Sequence, residues 1–80
     1  MTVNTLFFGI VMDITGERKI SFDLQKEITI REFQEYLLKK YPGLTDIKIF
    51  AFAVNESYVK EDHQLQENDV VAVIPPVSGG

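Results

Sequence analysis

Gly79 and Gly80 close the sequence behind Pro75-Pro76-Val77-Ser78, and the group they present is an α-carboxylate on an arm with almost no side chains. An α-carboxyl ordinarily titrates near about 3.3–3.7, so this one is ionised at neutral pH. Glycine at both positions leaves no Cβ to obstruct a narrow slot and accepts backbone angles that other residues avoid. The residues from Val77 onward reach roughly 13–14 Å when extended, enough to enter a deep slot on another protein. No other chemistry is prefigured. His63 is the single histidine, stands beside Asp62, and has no cysteine with which to share a metal. Ser21, Ser57 and Ser78 have no nucleophile-elbow setting. Gly9 and Gly16 have neither the Walker lysine nor the Rossmann spacing of a phosphate loop.

The chain has 80 residues, 45% of them hydrophobic, with six Phe and three Tyr, which suits one small domain with an efficient core. Cysteine is absent, which excludes disulfides, thiolate nucleophiles and cysteine-ligated metal. A protein of this composition that handled sulfur would hold it elsewhere, and the terminal carboxylate is the natural place. Twelve acidic residues against eight basic give a net charge of −4, and only Lys39-Lys40 places two cations side by side. Nucleic acid is therefore not an expected partner. No basic region follows Met1 and the longest apolar stretch, Leu6 to Met12, falls far short of a membrane span of about 20 residues. A cytoplasmic protein without membrane contact is expected.

The arm must leave from a folded body, and the elements of that body are legible. Val70 to Ile74 is an apolar run that two prolines terminate, because each removes a ladder donor and fixes φ. Residues 1–76 are expected to form the domain and 77–80 a flexible tail. Val3 to Phe8 reads as a first strand, with Thr5 and Phe7 on one face and Leu6 and Phe8 on the other. Periodicity over Ile10 to Ile14 leans towards strand, followed by turn chemistry at Asp13-Ile14-Thr15-Gly16. Lys19 to Leu24 alternates cleanly, with Ile20, Phe22 and Leu24 on one face. Thr29-Ile30-Arg31-Glu32 is a capping box, and Ile28 and Phe33 are placed for a hydrophobic staple. Ile30, Phe33, Leu37 and Tyr41 make the buried stripe of that helix, which Pro42-Gly43 ends. Phe50 to Val54, Tyr58-Val59 and Val70 to Ile74 complete the strands, with polar loops from Lys60 to Gln64 and from Leu65 to Asp69. Such an order predicts an α+β fold with a mixed sheet wrapped around one main helix, the ubiquitin-like β-grasp.

The strand-then-Pro-Pro-Val-Ser-Gly-Gly ending resembles the small, sulfur-carrying subunits of molybdopterin synthase. So do Leu6-Phe7-Phe8-Gly9 and Ala53-Val54-Asn55. One departure is Glu56, where members of that family often carry glycine after the asparagine, so the turn type there stays open. The resemblance implies a β-grasp with a short helix after the first strand. It further implies that the chain is no enzyme by itself and binds no cofactor, the ATP being used by a ubiquitin-activating-like adenylating enzyme acting on Gly80. The carboxylate would attack the α-phosphate, and sulfide transfer to the acyl-adenylate would leave a thiocarboxylate. Gly79 and Gly80 would then deliver sulfur to cyclic pyranopterin monophosphate within the synthase large subunit, in an assembly of two small and two large subunits. By motif context Phe8, Tyr58 and Ile74 match partner-facing positions, and Pro75, Pro76, Val77 and Ser78 would line the approach; ordinary core is the competing assignment for the first three. Rival readings are a β-grasp sulfur carrier for thiamine or tRNA thiolation, a ubiquitin-like modifier, or an interaction domain with an inert tail.

Overall fold

Alternation along the first strand decides where the core lies. In a computed structural model that describes residues 1–49 and 51–76, β1 (Thr2–Phe7) buries Val3, Thr5 and Phe7 and turns the residues between them outward. It pairs antiparallel with β2 (Lys19–Asp23) and parallel with β5 (Val70–Ile74), and β3 (Ala51–Val54) joins β5 to β4 (Ser57–Val59). The order β2-β1-β5-β3-β4 gives a five-stranded mixed sheet. Its inner face packs on α2 (Ile30–Lys40), whose Ile30, Phe33 and Leu37 are buried. Phe33 is the hinge of the core, meeting Phe22 edge-on at 5.9 Å and Phe52 at 6.5 Å between ring centroids. This is the expected β-grasp.

The helix start follows the sequence closely. The Thr29 hydroxyl accepts from the Glu32 N–H at 3.2 Å, and the Glu32 carboxylate accepts from the Thr29 N–H at 2.9 Å, so two otherwise orphaned donors are satisfied reciprocally. The Glu32 carboxyl is held below its ordinary range, first by the backbone hydrogen bond from Thr29. The 60s loop closes over the same end: Ile30 N–H donates to the His63 carbonyl and Leu65 N–H to that of Ile28, both at 2.9 Å. Leu65, embedded in polar sequence, is thereby fully buried. At the other end Tyr41, a C-cap residue rather than part of the deep stripe, precedes a 3-10 helix over Pro42–Asp46 that buries Leu44.

Two local expectations are corrected. The segment after β1 is a helix, α1 (Gly9–Thr15), as the family resemblance implied and against the strand favoured by periodicity. Gly9 at φ +53 turns the chain off the strand, and Gly16 at φ +74 closes the helix by donating to the Met12 carbonyl. Val11 is buried, and Ile14 packs on Gly43, where an added Cβ would stand 2.9 Å from the Ile14 Cγ2. Gly43 is thus required by close approach. The first strand ends at Phe7, with Phe8 the N-cap of α1. The expected strand start at Phe50 lies outside the described residues.

The turn between β3 and β4 has two central residues, Asn55 and Glu56, at φ 50 and 73. Positive φ at both positions is the mark of a type I′ hairpin turn, whose twist matches that of the strands. Glu56 therefore occupies a left-handed conformation that glycine would adopt without cost. Asn55 is locked in place: its side chain donates to Asp69 and accepts from the Val70 N–H, each at 3.0 Å.

Candidate docking face and tail base

Because alternation sends the large apolar residues inward, the outer face of the sheet is built from what remains. Leu6 pairs with Ala72, Ala72 with Ala53, and Ala53 with Tyr58, so these four form one row across four strands. Alanine in the middle of the row keeps it low, and Tyr58 stands at its edge, 71% exposed. Ile74 and Ala51 form the next pair. Phe8, just past the end of β1, is 46% exposed. The row is bordered on the β2 side by Lys19, the partner of Leu6. A groove lined by Leu6, Phe7, Phe8, Gly9, Met12 and Arg18 continues the apolar surface around the start of α1.

The base of the tail lies at the same end of the sheet. Ile74–Ala51 is the last ladder pair, after which Pro75 has no N–H to offer. Pro75 is half-buried and Pro76 exposed. A Cβ on Gly9 would stand 3.4 Å from the Pro75 Cγ, so the proline ring rests over the glycine. Val77, Ser78, Gly79 and Gly80 lie outside the described residues.

Phe7 and Phe8 divide the two roles open to them: Phe7 is 1% exposed and Phe8 is on the surface. Tyr58 is also on the surface, and Ile74 is half-buried on the outer face. None of the three is ordinary core. Sequence reading missed Ile10, 46% exposed in the first turn of α1. Helical spacing gave no signal for it, since Ile10 stands four residues before Ile14 and would share its face.

Charge perturbation is concentrated elsewhere. Arg31 and Glu61 form an exposed ion pair, in which the hydrogen bond chiefly raises the guanidinium and lowers the carboxyl. The Tyr41 phenol is raised, mainly by burial. Among the described residues no group of three His, Cys, Asp or Glu side chains is placed to hold a metal ion. No helix of the described residues is long and apolar enough to cross a membrane.

Residues 5–80 match the ThiS family, which accounts for nearly the whole chain. The chain belongs to the ThiS family. Within it, the sequence is 37% identical over 82 residues to the human molybdopterin synthase sulfur carrier subunit, covering 98% of this chain and 93% of that protein. The fold is shared with a Pyrococcus furiosus protein described as molybdopterin converting factor, subunit 1, at a TM-score of 0.86 and 25% identity, covering 95% of this chain and 98% of the other. It is shared also with a chain from the Helicobacter pylori complex of molybdopterin-converting factor subunits 1 and 2, at a TM-score of 0.69 and 27% identity over 100% of each chain. This ThiS-family chain therefore has a ubiquitin-like β-grasp with an apolar outer face reaching the strand end that leads into Pro75-Pro76-Val77-Ser78-Gly79-Gly80.

Proposed function

We propose that this chain is the sulfur carrier subunit of a cytoplasmic molybdopterin synthase. The reading is carried by one observation: the apolar row through Leu6, Ala72, Ala53 and Tyr58, with Ile74 and Phe8, runs to the strand end from which the Gly-Gly sequence departs. A face of that kind gives a partner something to hold while the terminal residue reacts. Full-length likeness to the human sulfur carrier subunit supports it.

The Gly80 carboxylate is a poor electrophile. Its oxygen attacks the α-phosphate of ATP on a ubiquitin-activating-like enzyme, and pyrophosphate leaves. A sulfide donor then attacks the acyl carbon and AMP leaves, giving a thiocarboxylate whose sulfur is nucleophilic. On the synthase large subunit that sulfur passes to cyclic pyranopterin monophosphate, and water returns Gly80 to a carboxylate. A dithiolene needs two sulfur atoms, which fits two small subunits serving an assembly with two large ones. The chain supplies the carried group and the docking surface, while ATP and the pterin are bound by its partners. Phe8, Tyr58 and Ile74 serve as apolar anchors, the kind of residue whose burial dominates such interfaces. Both partners read the same strand-end patch, so the two complexes are mutually exclusive.

Co-expression with the activating enzyme, followed by intact mass measurement, tests the reading. The expected mass gain equals one oxygen replaced by sulfur, and because the chain has no cysteine, alkylation reports the thiocarboxylate alone. The loaded chain, mixed with large subunit and cyclic pyranopterin monophosphate, should yield molybdopterin. Deletion of Gly80 should abolish both results. A truncated chain that still supports synthesis refutes the carrier mechanism, and a loaded chain that thiolates tRNA or a thiamine precursor instead assigns the sulfur to another acceptor.

A further inference from the structure

The contact between Gly9 and Pro75 joins the first helix to the base of the tail, and we infer that Gly9 is a positioning residue that sets the direction in which the tail leaves the body. The inference rests on the carrier reading for its consequence, but its geometry stands independently. Few torsions are free at this point. Ile74 is held in the ladder by Ala51 and is kept extended by the proline after it. Pro75 has φ fixed by its ring. What settles the remaining freedom is where that ring rests, and it rests on Gly9, where a Cβ would stand in van der Waals contact, 3.4 Å from Cγ. Gly9 also has φ +53, so an L-residue there would strain the backbone and shift the Cα that carries the ring.

The consequence is one of leverage. Fully extended, the four residues beyond Pro76 would span at most roughly 13–14 Å, so a swing of about 30° at the base would displace the tip by up to roughly 7 Å. Misplacement of reacting atoms by about 1 Å can already cost on the order of a hundredfold in rate. The anchors Phe8 and Ile74 directly precede Gly9 and Pro75, so delivery is timed with the large subunit saturating, which separates it from docking.

Gly16 supplies the control. It too has positive φ, +74, but an added Cβ meets nothing within 4 Å. Gly9→Ala and Gly16→Ala therefore share backbone strain and differ in contact with the tail base. Two measurements are made on each. In the first, the thiocarboxylated variants are bound to the large subunit and single-turnover sulfur delivery is timed. With the large subunit saturating, Gly9→Ala should slow it by about tenfold or more, and Gly16→Ala should leave the rate unchanged. In the second, spin labels at Ser78→Cys and Lys48→Cys, possible because the chain has no cysteine, report the tail-to-body distance in the free chain. The distribution should shift with Gly9→Ala and not with Gly16→Ala. Should Gly9→Ala fail to fold, Pro75→Ala removes the ring from the other side and should produce the same shift and the same rate loss. If the Gly9 and Pro75 variants match Gly16→Ala in distance, the inference is overturned. If the parent chain never acquires a thiocarboxylate, the carrier reading falls while the distances still decide on Gly9.

Discussion

Replacing Glu56 by glycine should stabilise the protein, although it removes a side chain and adds none. Glu56 sits at φ 73 in a two-residue turn, where an L-residue costs about 1–2 kcal/mol relative to a right-handed conformation. Glycine relieves that strain but makes the unfolded chain more flexible, which costs about 0.4–1 kcal/mol in the opposite direction. The side chain is exposed and makes no hydrogen bond or ion pair among the described residues, so nothing else is lost. A net gain of about 0.5–1 kcal/mol follows, which for a domain of this size raises Tm by about 2–8 °C. Asn55 is the internal comparison. Its φ of 50 is equally left-handed, yet Asn55→Gly breaks the bonds to Asp69 and Val70 and should lower Tm. Calorimetric melts of the two variants beside the parent would settle it. If Glu56→Gly melts at or below the parent temperature, strain in this turn is not what limits the fold there.

Phe8→Asp and Ile74→Asp should weaken binding to the large subunit while costing the fold less than Phe22→Ala, which empties a site 4% exposed and packed edge-on against Phe33 and Tyr36, at about 3–5 kcal/mol; urea melts and titration calorimetry separate the two effects, and charged variants that unfold as readily as Phe22→Ala would return both residues to the core. Thr5→Val should stabilise by about 1 kcal/mol, since the Thr5 hydroxyl is fully buried with no hydrogen-bond partner among the described residues; a lower urea midpoint would contradict this. Thr29→Ala should cost about 1 kcal/mol through the lost cap. Glu32→Gln tests pH dependence: the Glu32 carboxyl is lowered in the folded state, chiefly by the Thr29 backbone N–H, so its contribution is present above the unfolded carboxylate range and lost as pH falls through the folded value. Acid titration of stability should therefore be flatter in Glu32→Gln than in the parent, and identical pH profiles would show that the box carries no charge-linked stability.

Local chemistry made part of this protein legible before any fold was known. The capping box needs only Thr29 and Glu32 three residues apart, and the β2 pattern needs only a period of two, so both are written in neighbouring residues. The tail chemistry is likewise a property of its own residues, a carboxylate behind two glycines and two prolines. Contacts distant in sequence settled the rest. Ile10 to Ile14 carry no period strong enough to choose between helix and strand. The choice fell to helix because Val11 could be buried and Ile14 could meet Gly43 across the fold. Phe7 and Phe8 are chemically the same residue, and only the register with Val73 sends one inward. Leu44 and Leu65 look like isolated apolar residues in polar loops until those loops close over α2. Glu56 holds a left-handed conformation that its own preference opposes, because the β3–β4 ladder and the Asn55 hydrogen bonds impose it. Above all, the parallel pairing of β1 with β5 brings the end of the first strand, at Phe7, beside the base of the tail. No local rule encodes that pairing, since it joins strands from opposite ends of the sequence. It is favoured only once closing the intervening chain also buries the face that packs on α2.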